Sequence, residues 1–158
     1  MLALFHGRNE TPRLATLREL PLFAPLSRRE LRVVDALLHE RRYLKGEIIF
    51  DEGEEGQALY VIISGRVLIC RQGEPETGKI IEIAAGVVFG ELALLDNVPR
   101  SAQARAAEDC VLASLSRGDF ESLLDTHAVT ASKISLQLAR QLGRQLRDRS
   151  PTAGRQAL

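Results

Sequence analysis

The sequence predicts a mainly β fold with flanking helices: an eight-stranded antiparallel β-roll or jelly-roll barrel, N-terminal helices, then a short helix and a long C-terminal helix. Three observations predict it. Between about residues 42 and 115, short runs rich in Ile, Val and Phe are separated by turns carrying Gly46, Gly53, Gly56, Gly65, Gly73, Gly78 and Gly86, the punctuation of an antiparallel barrel. On either side of that block, apolar residues recur every three or four positions, the period of an amphipathic helix. Finally, 158 residues with 45% hydrophobic side chains suffice for one domain with a substantial core. Aromatics are only 4%, so that core must be built from Leu, Ile, Val and Ala.

In chain order, Thr11-Pro12 marks the first helix start, with threonine as N-cap and proline at the first helical position. That helix runs to about Leu20, after which Pro21 and Pro25 break it. Ser27-Arg28-Arg29-Glu30 has the spacing of a capping box. Leu31, Val34, Leu37 and Leu38 then predict an amphipathic helix over 28–39. The strand runs are 48–50, 59–63, 67–70, 80–83, 87–89, 102–106 and 111–115, within a count of about eight. Gln72–Lys79, polar and holding Pro75 and Gly78, is expected as a surface hairpin loop. Ser116, with Asp119 three residues on, predicts another N-cap, and Phe120, Leu123 and Leu124 give a short apolar helix face. Ile134, Leu138, Leu142 and Leu146 recur at intervals of four and predict a long helix from about Val129 to Arg149, its stripe packed on the barrel and its end set by Pro151.

Lys plus Arg equals Asp plus Glu at 21 each, which gives no global attraction to nucleic acid or to an anionic membrane. The longest apolar runs are far too short to span a bilayer, and charges from Arg8 onward interrupt any secretory signal. The two cysteines, Cys70 and Cys110, lie in apolar strand-like segments and read as reduced core thiols of a cytoplasmic protein, with a disulfide left open. His6, His39 and His127 have no metal-ligand spacing among themselves or with the cysteines, so no metal is expected. Neither a Ser/His/Asp arrangement nor a phosphate-loop spacing is present. Arg140, Arg144, Arg147 and Arg149 suit the negative end of a helix dipole, and no nucleic-acid role for this chain alone is expected.

One stretch is chemically dense: Phe89-Gly90-Glu91-Leu92-Ala93-Leu94-Leu95-Asp96-Asn97-Val98-Pro99-Arg100-Ser101-Ala102. It places a glycine, a carboxylate, a short apolar helical turn and an arginine within fourteen residues. That chemistry suits a ligand with both a hydroxylated sugar and a phosphate. The run closely resembles the phosphate-binding cassette of cyclic-nucleotide-binding domains. The glycines of the 46–56 block and of Ser64-Gly65-Arg66-Val67 resemble that family's barrel turns, and the likeness spans roughly residues 20–148.

The resemblance implies a ligand site made of Phe89, Gly90, Glu91, Leu92, Ala93, Arg100, Ser101 and Ala102. Arg100 would hold the phosphate, since a guanidinium stays charged and can make paired hydrogen bonds to it. Ser101 would add a hydroxyl, and the start of the 91–95 turn would offer free N–H groups. Gly90 leaves room for the approach, and Pro99 favours a turn ahead of Arg100. Glu91 would accept from the ribose 2′-hydroxyl, while Phe89, Leu92, Leu94 and Leu95 read as packing residues. Without that context, Glu91 and Arg100 would read as a plain salt bridge. Candidate base contacts are Ile80 and Ile81 on a strand and Gln141, Arg144 and Gln145 on the long helix.

The expected function is therefore binding of a cyclic nucleotide, cAMP favoured over cGMP, with no other cofactor and no enzymatic activity. The C-terminal helix would close over the base as a lid and carry the signal. The competing readings are a ligand-free scaffold, the sensor half of a transcription regulator, channel or kinase, and an enzyme acting on cyclic nucleotides. Leu136, Ala139 and Gly143 on one helix face are a candidate homodimer seam; a missing effector domain is the other candidate partner. The domain reading is 1–20 as an N-terminal helical segment, 21–150 as the cyclic-nucleotide-binding domain and 151–158 as a disordered tail. A chain cut at about residue 128 is expected to leave a folded barrel.

Overall fold

The computed structural model describes residues 10–71 and 80–149. The expected hairpin loop at 72–79 and the tail at 151–158 lie outside the described residues. The elements are α1 (Pro12–Glu19), α2 (Arg28–Leu37), β1 (His39–Tyr43), β2 (Ile48–Phe50), β3 (Ala58–Ser64), β4 (Arg66–Cys70), β5 (Ile81–Ala84), β6 (Val88–Phe89), β7 (Gln103–Ala106), β8 (Cys110–Ser116), α3 (Arg117–Thr126) and α4 (Ala128–Arg149). A 3₁₀ turn, Glu91–Leu94, stands between β6 and β7.

The strands form two four-stranded antiparallel sheets, ordered β1-β8-β3-β6 and β2-β7-β4-β5. The barrel core draws on both sheets: Phe50, Ile62, Val67, Phe89, Ala104, Ala106, Cys110 and Leu112. A second, larger cluster packs the helices onto the other face of β3 and β8, joining Leu17, Phe23, Val34, Leu59, Val61, Leu115, Leu123, Ile134 and Leu138. This explains why Leu59–Ile63 reads as one unbroken apolar run rather than an alternating one. Leu59 and Val61 face the helices, Ile62 faces the barrel, and both faces of the strand are buried.

The helix starts follow their local chemistry. The Thr11 side chain accepts from Leu14 N at 3.1 Å, and Ser27 and Glu30 form both bonds of a capping box. Ser116 accepts from Asp119 N at 3.0 Å. Several expectations need correction. The helix expected over 28–39 stops at Leu37, because Leu38 is extended at φ −80°, ψ 135°. His39–Tyr43 is instead a strand, pairing in register with β8 from His39↔Ser114 to Tyr43↔Cys110. Its sequence, HERRY, has little β signal; it is an edge strand, where charged side chains block further pairing. Ile80 precedes β5, Val87 precedes β6, Ala102 precedes β7, and α4 begins at Ala128.

The α4 stripe is only half as long as expected. Ile134 and Leu138 are fully buried, Leu142 is intermediate, and Leu146 is 70% exposed. Among the described residues, nothing covers the leucine of the final turns. Leu124 is likewise 41% exposed, leaving Phe120 and Leu123 as the inner face of α3. The cut expected at residue 128 spares the barrel cluster, which holds no α4 residue, but not the helical one. It would remove Ala131, Ile134 and Leu138 from the cluster that holds α1, α2 and β3, leaving cavities that cost about 2–5 kcal/mol for each large side chain. Such a fragment is expected to lose the helical half of its core.

Candidate functional site

The cassette begins at Gly90, whose φ is +72°. That left-handed conformation costs glycine little, and it turns the chain out of β6 into the 3₁₀ turn. The turn buries Ala93 and Leu94, while Leu92 and Leu95 are 48% and 46% exposed. Reading Leu92 and Leu95 as packing residues is therefore corrected: a single tight turn presents only one side to the core. Beyond it, Pro99 forms an isolated β-bridge with Glu55. Arg100 N donates to Glu54 O at 2.7 Å, Gly53 N donates to Arg100 O at 2.8 Å, and Gly56 N donates to Val98 O at 3.3 Å. The β2–β3 loop and the end of the cassette are thus sewn together, which fixes where Arg100 points.

The Arg100 side chain runs inward and is part-buried. Nη2 donates to Ala58 O at 2.7 Å and Nη1 to Gly90 O at 3.2 Å. Its guanidinium carbon lies 4.1 Å from the centroid of the Phe50 ring, over its face. Nε is buried and, among the described residues, has no hydrogen-bond partner. Among the described residues no carboxylate forms an ion pair with Arg100, Glu91 included. Burial pushes the guanidinium's pKa down, and Tyr60, Glu54 and Glu91 oppose that from a distance; an arginine nonetheless stays cationic in a protein. This is a partly desolvated cation with donor capacity left over. Arg100 also walls a cleft of about 520 Å³ with Phe50, Ala58, Tyr60 and Arg41, and the carboxylates Glu54 and Glu55 line it too.

Glu91 is part-buried, and Gln141 Nε2 donates to its Oε1 over a long 3.4 Å. This brings α4 to the cassette at one of the expected base-contact residues. Of the others, Arg144 is exposed and Gln145 intermediate, and Ile80 and Ile81 are 64% and 53% exposed. Among the described residues no hydrogen bond joins Arg144 or Gln145 to the cassette. Ser101 is exposed, whereas Phe89 and Ala102 are buried at 6% and 7%.

Three supporting residues escaped the sequence reading. Phe50 carries the guanidinium. Gly56 lies under it: a Cβ there would meet Arg100 Cζ at 3.4 Å, with Ala93 Cβ and Val98 O both at 3.2 Å. Arg117 braces the assembly, its Nη1 donating to Gly56 O at 3.2 Å, Ala93 O at 3.3 Å and Asp96 O at 3.2 Å. It therefore ties the β2–β3 loop and the cassette to the start of α3. One sequence signal pointed to Arg117: a cation at the first position of a helix opposes the helix dipole, so something else must hold it there. Among the described residues, no cluster of three or more His, Cys, Asp or Glu could hold a metal. Both cysteines are free, Cys110 buried and Cys70 intermediate. No helix of the described residues is long and apolar enough to cross a membrane.

A two-sheet β-roll with a glycine–glutamate turn, a part-buried arginine and a long helix that reaches the turn through Gln141 has the parts of a small-ligand-binding module. The family model of the cyclic nucleotide-binding domain matches residues 40–127. Over 125 residues the chain is 37% identical to the cyclic AMP receptor protein of Thermus thermophilus, covering 77% of this chain and 57% of that one. It is 37% identical over 110 residues to a cAMP-dependent protein kinase regulatory subunit of Emericella nidulans, covering 70% and 26% respectively. The crystal structure of Thermus thermophilus catabolite activator protein superposes with a TM-score of 0.75 at 33% identity, covering 85% of this chain and 62% of that one. The chain belongs to the cyclic nucleotide-binding domain family. It spans little more than half the length of the receptor protein and about a quarter of the kinase subunit.

Proposed function

We propose that the chain is a sensor that binds cAMP in preference to cGMP and passes the event on through α4, without chemical turnover. The observation that carries this reading is Arg100: a part-buried cation with two carbonyl partners and, among the described residues, an orphaned Nε and no carboxylate in an ion pair with it. Drawing a cation out of water costs free energy that a completing anion would help offset. In this reading Arg100 and Ser101 hold the cyclic phosphate. Glu91 accepts from the ribose 2′-hydroxyl, and the backbone at Gly90 and Leu92 contacts the ligand. Phe89, Ala93 and Ala102 form the wall.

The preference for cAMP is supported by the names of the relatives at 37% identity. Ile80, Ile81, Gln141, Arg144 and Gln145 are the proposed base contacts. The 3.4 Å approach of Gln141 to Glu91 supports a route from ligand to helix. The ligand shifts α4 only as far as it binds one helix position better than another. The exposed Leu136 and Ala139 are the proposed output face, toward a second copy or an effector. Two free thiols suit a reducing, cytoplasmic setting.

Calorimetric titration with cAMP and cGMP, followed by hydrogen exchange along α4, tests the proposal. Saturable binding, tighter for cAMP, with changed protection over residues 128–149 is expected. Binding of neither nucleotide ends the ligand reading, and unchanged α4 protection ends the transmission reading.

A further inference from the structure

We infer that Phe50 is a positioning residue for Arg100: its ring face holds the guanidinium in the orientation that meets the ligand's phosphate. The inference rests on the reading of Arg100 as the phosphate partner.

The argument begins in β2. Ile48, Ile49 and Phe50 are three apolar residues in a row, and in a regular strand Phe50 would share a face with Ile48. The pairing with β7 shifts between them: Ile48 faces Arg105, and Phe50 faces its immediate neighbour Ala104. Ile49 is the extra residue of a β-bulge, a device that re-aims side chains. Its result is visible in burial, with Ile48 43% exposed and Phe50 only 9%. The bulge turns the Phe50 ring into the barrel, where Arg100 lies 4.1 Å from its centroid.

The ring is itself held. It packs against Tyr60 and Phe89 with both centroids at 5.9 Å, and those two stack at 5.3 Å. Around the guanidinium, the space is kept by two glycines. A Cβ at Gly90 would stand 2.6 Å from Nη1, and one at Gly56 would stand 3.4 Å from Cζ. An aromatic face attracts a cation through its quadrupole but offers no carboxylate oxygen. A carboxylate would occupy the N–H donors and compete with a phosphate for the same cation. The ring orients the charge and leaves that competition absent. Without it Arg100 would sample other rotamers, and ligand affinity would fall by the fraction of time spent in them.

The test replaces Phe50 with mono-, di- and trifluorophenylalanine, which keep its shape while stepwise depleting the ring face. Thermal unfolding without ligand monitors the fold, and calorimetry reads cAMP affinity. The expected result is a graded loss, totalling roughly three- to thirtyfold across the series. Phe50→Leu should fall at the weak end. In an Arg100→Gln background the same series should leave the residual affinity flat, a coupling that simple packing would not produce. Equal affinity across the series, rising affinity, or a loss that persists without Arg100 would overturn the role of Phe50. Those results would leave cyclic-nucleotide binding intact. Absence of binding by the unsubstituted chain would instead remove the ligand reading beneath it.

Discussion

Two charged side chains are drawn partly out of water here, and the fold treats them in opposite ways. Glu30 receives Ser27 N at 3.0 Å, Thr130 Oγ1 at 3.0 Å and Lys133 Nζ at 2.7 Å. Its carboxyl is held down to about 2, first by Lys133 and then by the Ser27 amide. Arg100 receives two carbonyls and a ring face and, among the described residues, keeps an unpartnered Nε and forms no ion pair. Glu30 is completed by its own chain and joins α2 to α4. In the proposed reading, Arg100 is completed by an anion from outside. Charge alone does not separate a structural site from a binding site; the bonding capacity left unused does.

The largest expected effect tests that contrast directly. Arg100→Leu should cost about 2–5 kcal/mol of cAMP affinity, as when one partner of a buried charge pair is removed. Its unfolding midpoint without ligand should hold or rise, because a desolvated cation with an orphaned donor has been removed. Calorimetry and thermal unfolding on the same preparation give both numbers. If stability falls alongside affinity, Arg100 is a structural charge like Glu30 and the contrast collapses.

Glu30→Ala should behave in the reverse manner. The Ser27 N-cap bond to the residue-30 amide survives, but the return bond from Ser27 N is lost, about 0.5–1.5 kcal/mol, and Lys133 and Thr130 lose the acceptor they share. Urea unfolding should show the loss, while cAMP affinity, measured where the variant is folded, stays within about twofold, below the factor of ten that 1.4 kcal/mol represents. A large affinity change would mean that the α2–α4 junction takes part in the ligand response.

The same contrast explains what the sequence could and could not disclose. Gly90, Glu91, Pro99, Arg100 and Ser101 sit in one contiguous stretch, so their order was readable without any contact map. The capping box was equally legible, since its two partners are three residues apart. The partners that complete it, Thr130 and Lys133, stand about a hundred residues away, where no spacing rule reaches. Phe50 was counted as a strand residue, because only the pairing of β2 with β7 exposes the bulge that turns it inward. Strand β1 was missed because HERRY carries the charges of an edge rather than the alternation of a sheet interior. The leucine period of α4 was real through Leu138 but could not say where the barrel ends.

A pH series refines the Glu30 half of the comparison. Its folded pKa lies near 2 against an ordinary 4.5, so the folded state favours the ionised form. The stability from this linkage is complete above 4.5, and it is lost as pH falls through the interval down to about 2. The stability gap between the unsubstituted chain and Glu30→Gln should therefore narrow over that interval. A gap that stays constant as pH falls would assign the effect to helix capping geometry rather than to charge.

The smallest expected effect concerns the end of α4. Leu146 is 70% exposed, while Leu138, two turns earlier, is fully buried in the helical cluster. Leu146→Gln should therefore change stability by no more than about 0.5 kcal/mol, as surface substitutions do. The substitution is informative because it separates packing from function. A chain whose stability is unchanged but whose cAMP response or self-association is altered would place the output on the final turns of α4. A chain unchanged in all three would leave the exposed Leu136 and Ala139, about two to three turns earlier in α4, as the face to test next. A stability loss above about 1 kcal/mol would mean that Leu146 packs against something in solution, and sedimentation at two concentrations would identify whether that is a second copy.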